Sequence, residues 1–180
     1  MLPSQRKGVV WCVMLLLVVA SPVAALEETF QDLDLSVEVA PVFTLSLDNS
    51  ALTFGAVSPN TTMVLGRERF FNELRCRSNS GHLWYVKAHL VSLASVQHAQ
   101  YTLPPDSLRW RVVESTGAPQ VFSTEFQPFS TTPSVLYIGQ PEDADGREVI
   151  LRLQYSLTTS LNSPAGSYAG QLVFTLAEEP

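Results

Sequence analysis

The cluster with the clearest potential for chemistry is a short acidic turn, Glu142-Asp-Ala-Asp-Gly146. Asp143 and Asp145 stand two residues apart in it, and carboxylate oxygens are hard ligands that suit Ca²⁺. These two aspartates are therefore the candidate metal ligands of the chain. Because Asp-Gly is also a favoured pair in tight hairpin turns, an ordinary turn is the competing interpretation.

The other reactive residue types form no catalytic pattern. Serine is frequent, yet no Gly-x-Ser-x-Gly nucleophile motif and no glycine-rich phosphate loop occurs. His82, His89 and His98 fit no usual zinc spacing, and no Cys/His cluster accompanies them. We therefore expect a protein that is not an enzyme and that needs no cofactor.

Arginines recur in pairs two residues apart, at 67/69, 75/77 and 109/111. Residues two apart on a β-strand face the same side of the sheet. One candidate site is accordingly an exposed anion- or glycan-binding patch, made of Arg75, Arg77, Arg109 and Arg111 with Tyr85. The alternative is an outer sheet face on which these arginines form cross-strand ion pairs with acidic neighbours such as Glu68, Glu73 and Glu148.

Alternation of apolar and polar residues is the main structural signal in the chain. It recurs in short runs separated by clusters of Pro, Gly, Asn and Ser, and no segment shows sustained helical periodicity. The sequence therefore predicts an all-β, immunoglobulin-like sandwich of about seven to nine antiparallel strands. The side chains expected between the two sheets are Trp84, Trp110, Leu151, Leu153 and Phe174. A sugar-stacking platform of Tyr85 and the two tryptophans is the alternative role for these rings.

The first 25 residues have the three parts of a secretory signal peptide. Arg6 and Lys7 precede an apolar run over 9–20, and small residues follow at Val23-Ala-Ala25. The run is shorter than the roughly 20 residues that span a bilayer. We expect export to the periplasm, the cell surface or the extracellular space, with an N-terminal alternating strand over 26–40 and the β-sandwich domain over 41–180.

Charge and cysteine content restrict the partners. The whole chain has 11 basic and 17 acidic residues, and loss of Arg6 and Lys7 leaves 9 basic ones. Such an acidic chain lacks the clustered cations that nucleic acid requires. With Cys12 in the signal peptide, Cys76 would have no internal disulfide partner, so a small buried hydrophobic role is expected, with a disulfide-linked dimer as the alternative. Asn60-Thr-Thr62 is a glycosylation sequon, relevant only in a host that glycosylates exported proteins.

Four stretches carry a resemblance to a known family. They are the alternating segment 33–39, Leu52-Thr-Phe-Gly-Ala-Val-Ser-Pro-Asn60, Cys76-Arg-Ser-Asn-Ser-Gly-His-Leu-Trp84, and Pro164-Ala-Gly-Ser-Tyr-Ala-Gly-Gln-Leu-Val-Phe-Thr-Leu176. With these the chain resembles the exported pilin-like sandwiches of bacteria, namely chaperone–usher fimbrial subunits and the spore coat protein U group. It departs from fimbrial subunits in lacking a partner for Cys76 and a tyrosine close to its C-terminus.

In fimbrial subunits, an N-terminal alternating segment completes the sheet of the next subunit. The resemblance implies that Leu33, Leu35, Val37 and Val39 are the donor residues here, and that partners are copies of the same protein or a periplasmic chaperone. The alternative is that 33–39 is the first strand of its own domain. The expected function is an exported structural or adhesive subunit, and the alternative is an extracellular carbohydrate- or surface-binding module.

Overall fold

The computed structural model describes residues 34–118 and 123–179 of the chain. The signal-peptide prediction for residues 1–25, Leu33 and a short strand expected near Phe122 lie outside the described residues. The described part contains nine β-strands: β1 Phe43–Leu47, β2 Thr62–Leu65, β3 Asn72–Ser78, β4 Trp84–Ser95, β5 Leu108–Ser115, β6 Gln127–Pro128, β7 Ser134–Gly139, β8 Glu148–Thr158 and β9 Tyr168–Ala177. Single 3₁₀ turns occupy Pro105–Ser107 and Pro141–Asp143.

The strands form two antiparallel sheets, so the all-β prediction is confirmed. The first sheet has the order β1-β3-β8-β5-β6, and β2 pairs with the end of β8 beyond β3. The second sheet has the order β7-β4-β9. All nine strands belong to the compact unit Val39–Pro180.

The period-two pattern determines which side chains are buried. Leu74 and Cys76 of β3 are buried while Arg75 and Arg77 between and after them face outward. The same alternation in β4 buries four residues, Trp84, Val86, Ala88 and Leu90. One core cluster contains residues of both sheets, and Leu151 and Leu153 of the central strand β8 are fully buried within it.

Two strands lie at sheet edges next to each other. Among the described residues, β1 pairs only with β3, and β9 pairs only with β4. Pro41 stands two residues before β1, as expected where a ladder begins at an edge. Phe174 of β9 is only half-buried, because one flank of its strand has no neighbour, although the sequence pattern placed it fully in the core.

Four segments differ from the sequence pattern. Segment 33–39 alternates perfectly in sequence. Residues 34–42 nevertheless belong to no strand, because they pair with no neighbouring strand in the described part of the chain. The run Leu52–Val57 is likewise unpaired. In contrast, β2 and β6 form without any alternation signal, because they are short and are held by pairing with β8 and β5.

Candidate functional site

An open apolar groove runs beside the free edge of β9. Two adjoining cavities, of about 280 and 1130 Å³, lie between β9 on one side and the chain from β1 to residue 57 on the other. Residues 45–47 and 171–174 line the smaller cavity. Residues 49–57 and 163–172 contribute to the larger one, with Phe174. We call this feature the β9 groove.

The floor of the β9 groove is the hydrophobic core itself. Leu74 lies under the smaller cavity, and Leu90, Leu108 and Tyr155 lie under the larger one. In β9, Leu172 pairs with Leu90 and Phe174 pairs with Ala88, so both side chains point to the inner face of the sheet. They are nevertheless only half-buried. The groove therefore exposes apolar surface that a complete pair of sheets would cover.

Backbone groups line both sides of the groove. On one side is the unpaired edge of β9. On the other side, residues 49–57 make no backbone–backbone hydrogen bond within the described part of the chain. Asn49 is fixed there by side-chain bonds, since its carbonyl accepts from Asn72 Nδ2 at 3.2 Å and its side chain accepts from the Ala51 N–H at 3.1 Å. An unpaired edge over an apolar floor is the arrangement that accepts an added β-strand.

The candidate assembly residues that the structure describes are apolar side chains exposed to solvent, whereas the β9 groove is an apolar surface left uncovered. Leu35, Val37 and Val39 are 85%, 74% and 76% exposed, although each is strongly apolar. They alternate with Asp34, Ser36 and Glu38, so an extended segment would have one apolar and one polar face. Burying such a side chain fully is worth roughly 1.5–3 kcal/mol. These residues are therefore suited to cover an apolar surface.

The arginine and tyrosine candidates do not meet in one patch. Arg75, Arg77, Arg109 and Arg111 lie on outward positions of β3 and β5, in the first sheet. Tyr85 lies on the outward face of β4, in the second sheet. The two sheets enclose one core, so Tyr85 and the arginines face opposite sides.

Ion pairs and ring contacts engage several of these arginines. Arg75 contacts Glu73 at 2.5 Å and Glu148 at 3.0 Å. Arg111 donates from Nε to Gln154 Oε1 at 2.8 Å and lies over the ring of Phe126 at 4.6 Å. The outer face of the first sheet is thus a charge ladder of the kind expected from cross-strand pairing.

Arg152 is a central member of this ladder that the arginine pairs did not indicate. Its Nε lies 3.0 Å from Glu73 Oε1, and its Nη1 lies 2.6 Å from Glu114 Oε1. The hydrogen bond from Arg152 is the main reason that the pKa of Glu73 is lowered, and the charge of Arg75 adds to it. In the sequence, Arg152 was marked only by its polar position between Leu151 and Leu153 in the alternation of β8.

The two candidate calcium ligands have different environments. Asp143 is buried, and its Oδ2 accepts hydrogen bonds from the Ala118 N–H at 2.8 Å and the Tyr137 hydroxyl at 3.3 Å. Asp145 is exposed, and its carboxylate pairs with Arg147 at 2.7 Å. Within the described residues, no group of three or more metal-ligating side chains gathers around them.

Cys76 and the two predicted core tryptophans are buried. Burial, and secondarily Glu148, raises the pKa of the Cys76 thiol to about 12, which leaves the sulfur protonated at neutral pH. Trp84 and Trp110 are 0% and 3% exposed, so neither ring offers a face to a sugar. Asn60 is exposed in a left-handed turn with φ of 55°, and its Oδ1 accepts from the Leu161 N–H at 3.2 Å.

In sequence comparisons, no protein-family model and no curated protein matches this chain. Among the described residues, no helix has the length and apolar character needed to cross a membrane. The sequence contained no local signal for the β9 groove, because the groove is bounded by segments that are far apart in the chain.

Proposed function

We propose that this protein is an exported structural or adhesive subunit that assembles by β-strand addition. Segment 33–39 of one copy enters the β9 groove of another and pairs with the free edge of β9. Each domain is then an immunoglobulin-like sandwich completed by a strand from its neighbour. The observation that carries the proposal is the half-buried position of Leu172 and Phe174 on an edge strand above an open apolar floor.

The dimensions support this pairing. Segment 33–39 has seven residues, which extend over about 24 Å at roughly 3.4 Å per residue. The stretch of β9 that lines the two cavities of the groove, residues 168–174, has the same number of residues. An added strand would place Leu33, Leu35, Val37 and Val39 over the groove floor and the polar residues between them on the solvent side.

The chemistry of the contact is that of protein association. Main-chain hydrogen bonds to β9 give affinity, and apolar side chains that fit between the sheets give the register. The donor segment and the groove are different surfaces of one chain, so the interface is heterologous. Interfaces of that type build an open series of copies unless the rotation between copies closes a ring. Export to the periplasm or beyond, with removal of residues 1–25, belongs to the same proposal.

The test uses two substitutions at adjacent residues, whose side chains lie on opposite faces of the donor segment. Leu35→Asp puts a charge on the apolar face, and Ser36→Asp puts the same charge on the polar face as a matched control. Light scattering over a range of concentrations should give multimers for the wild type and for Ser36→Asp, and monomers for Leu35→Asp. At protein concentrations low enough for all three to be monomeric, they should melt at similar temperatures.

A synthetic peptide of residues 32–40 provides the second arm. It should bind Leu35→Asp monomers, raise their melting temperature and disperse wild-type multimers, because it fills the β9 groove without offering a new one. A wild type that is monomeric at all concentrations and ignores the peptide would overturn the proposal. So would equal assembly of Leu35→Asp and Ser36→Asp.

A further inference from the structure

The linker between the donor segment and β1 is held by a single side chain. The amide of Asn79 accepts a hydrogen bond from the Val42 N–H at 2.5 Å through Oδ1. Its Nδ2 donates to the Ala40 carbonyl at 3.3 Å. Asn79 belongs to the turn between β3 and β4, directly after the residue pair Phe43 and Ser78 that ends the β1–β3 ladder.

These two bonds extend the ladder beyond its last residue pair. The side-chain amide of Asn79 offers an acceptor and a donor on the β3 side of the chain, as a further strand residue would. Pro41 lies between the two bonded residues and fixes its own φ near −65°, which also keeps Ala40 extended. Residues 40–42 therefore continue the line of β1.

The direction of residues 40–42 affects whether segment 33–39 can reach the β9 groove of its own domain or only that of a second copy. One edge of β1 pairs with β3, and the β9 groove lies on its other side. A segment that enters the groove of its own domain must reverse direction within residues 40–42, which requires both Asn79 bonds to break. We infer that Asn79 is a positioning residue that directs the donor segment to a second copy of the chain and opposes self-insertion. This inference rests on the proposed function.

The test follows the destination of the segment by disulfide formation. In the full chain carrying Cys12→Ser, the substitutions Ser36→Cys and Gln171→Cys place thiols on the outward faces of the donor segment and of β9, at positions that lie opposite each other when 33–39 pairs with 168–174. Cys76 is buried and its thiol pKa is about 12, so it does not compete. After mild oxidation, a non-reducing gel separates a ladder of cross-linked copies from internally cross-linked monomers.

With Asn79 present, the ladder should dominate. In Asn79→Ala, the ratio of internal to intermolecular cross-links should rise about tenfold, because two hydrogen bonds no longer oppose reversal. Pro41→Ala should shift the ratio in the same direction without changing any residue of the β3–β4 turn. Asn79→Asp keeps only the acceptor for Val42 and should lie between Asn79→Ala and the parent. Thermal melting of each variant checks that the domain is folded.

The outcomes separate this inference from the proposal on which it rests. Equal ratios with and without Asn79, or internal cross-links that dominate with Asn79 present, would overturn the inference for Asn79. Failure to form any cross-link between positions 36 and 171 in every variant would overturn the proposed function, and this inference with it.

Discussion

Gly139 of β7 lies directly opposite Trp84 of β4, and the indole occupies the space that a side chain on Gly139 would need. A Cβ at position 139 would lie 1.9 Å from Trp84 Cε2. Trp84 is itself completely buried and packs against Tyr137 with ring centroids 5.5 Å apart. The packing of one of the two core tryptophans therefore depends on the smallest residue of the neighbouring strand.

Gly139→Ala should destabilise the domain because the core cannot accept the added methyl group without moving the indole. Overpacking of this kind costs about 1–3 kcal/mol. Urea unfolding followed by tryptophan fluorescence measures the loss. Val135→Ala on the outward face of the same strand is the control and should change stability by less than about 0.5 kcal/mol. Equal effects of the two substitutions would contradict the role of Gly139.

The inward and outward faces of the long strands could be predicted from the sequence, whereas the unpaired edges could not. Period-two alternation identified Leu74, Trp84 and Trp110 as core residues, because a half-buried strand imposes that pattern. Alternation cannot say whether a partner strand exists, since the pattern reports only that one face is apolar. Segment 33–39 and the run over 52–57 therefore looked like strands, although in the described part of the chain neither 34–39 nor 52–57 is paired.

For the candidate sites too, the outward positions could be predicted from local alternation, whereas the grouping of residues on one surface could not. Outward positions for Arg75 and Arg111 followed from alternation, but their separation from Tyr85 depended on which strands share a sheet. That assignment is non-local: β3 pairs with β8, some 75 residues later in the chain. The β9 groove was missed for a related reason, since it consists of the space between two sheet edges and has no local sequence pattern.

Arg152→Ala should remove the pairs with Glu73 and Glu114 and lower the melting temperature at neutral pH. The pKa of Glu73 is lowered in the folded protein, so its contribution to stability is present above its ordinary value of 4.5 and is lost as pH falls through the folded value. The difference between wild type and Arg152→Ala should therefore shrink in acid. Arg147→Ala, which breaks an exposed pair with Asp145, is the control and should have a smaller effect at pH 7.

Alkaline conditions should destabilise the domain because the buried thiol of Cys76 and the buried hydroxyl of Tyr137 resist deprotonation in the folded state. Burial raises the pKa of Cys76 from 9.0 to about 12 and that of Tyr137 from 10.0 to about 12. The unfolded chain therefore loses these protons first, and stability should be full below pH 9 and fall between pH 9 and about 12. Each group contributes up to roughly 1.4 kcal/mol per pH unit within its own window. Urea midpoints across that range measure the fall, and Cys76→Ala should remove the part that begins at pH 9.

A mixture of two assembly-defective variants should form heterodimers that cannot grow further. Leu35→Asp cannot donate a strand but keeps its groove, and Leu172→Ser removes an apolar side chain from the β9 side of the groove but keeps its donor segment. Each alone should be monomeric, and an equal mixture should give dimers with one of each chain. Mass measurement by light scattering distinguishes this from longer multimers. Dimers in either single sample, or none in the mixture, would contradict the assignment of donor and acceptor.

The positions of β1 and β9 also determine how the domain carries tension. A pull on the chain ahead of Phe43 runs along the axis of β1, because residues 40–42 extend in line with that strand. The five residue pairs between β1 and β3 are then loaded in shear together, instead of opening one after another like a zipper. The force reaches the hydrogen bonds of Asn79 to residues 40 and 42 before it reaches any of these five pairs. Since β9 belongs to the other sheet, a force between the two strands crosses the packed core, and the mechanical strength of the domain depends on its side-chain packing as much as on its hydrogen bonds.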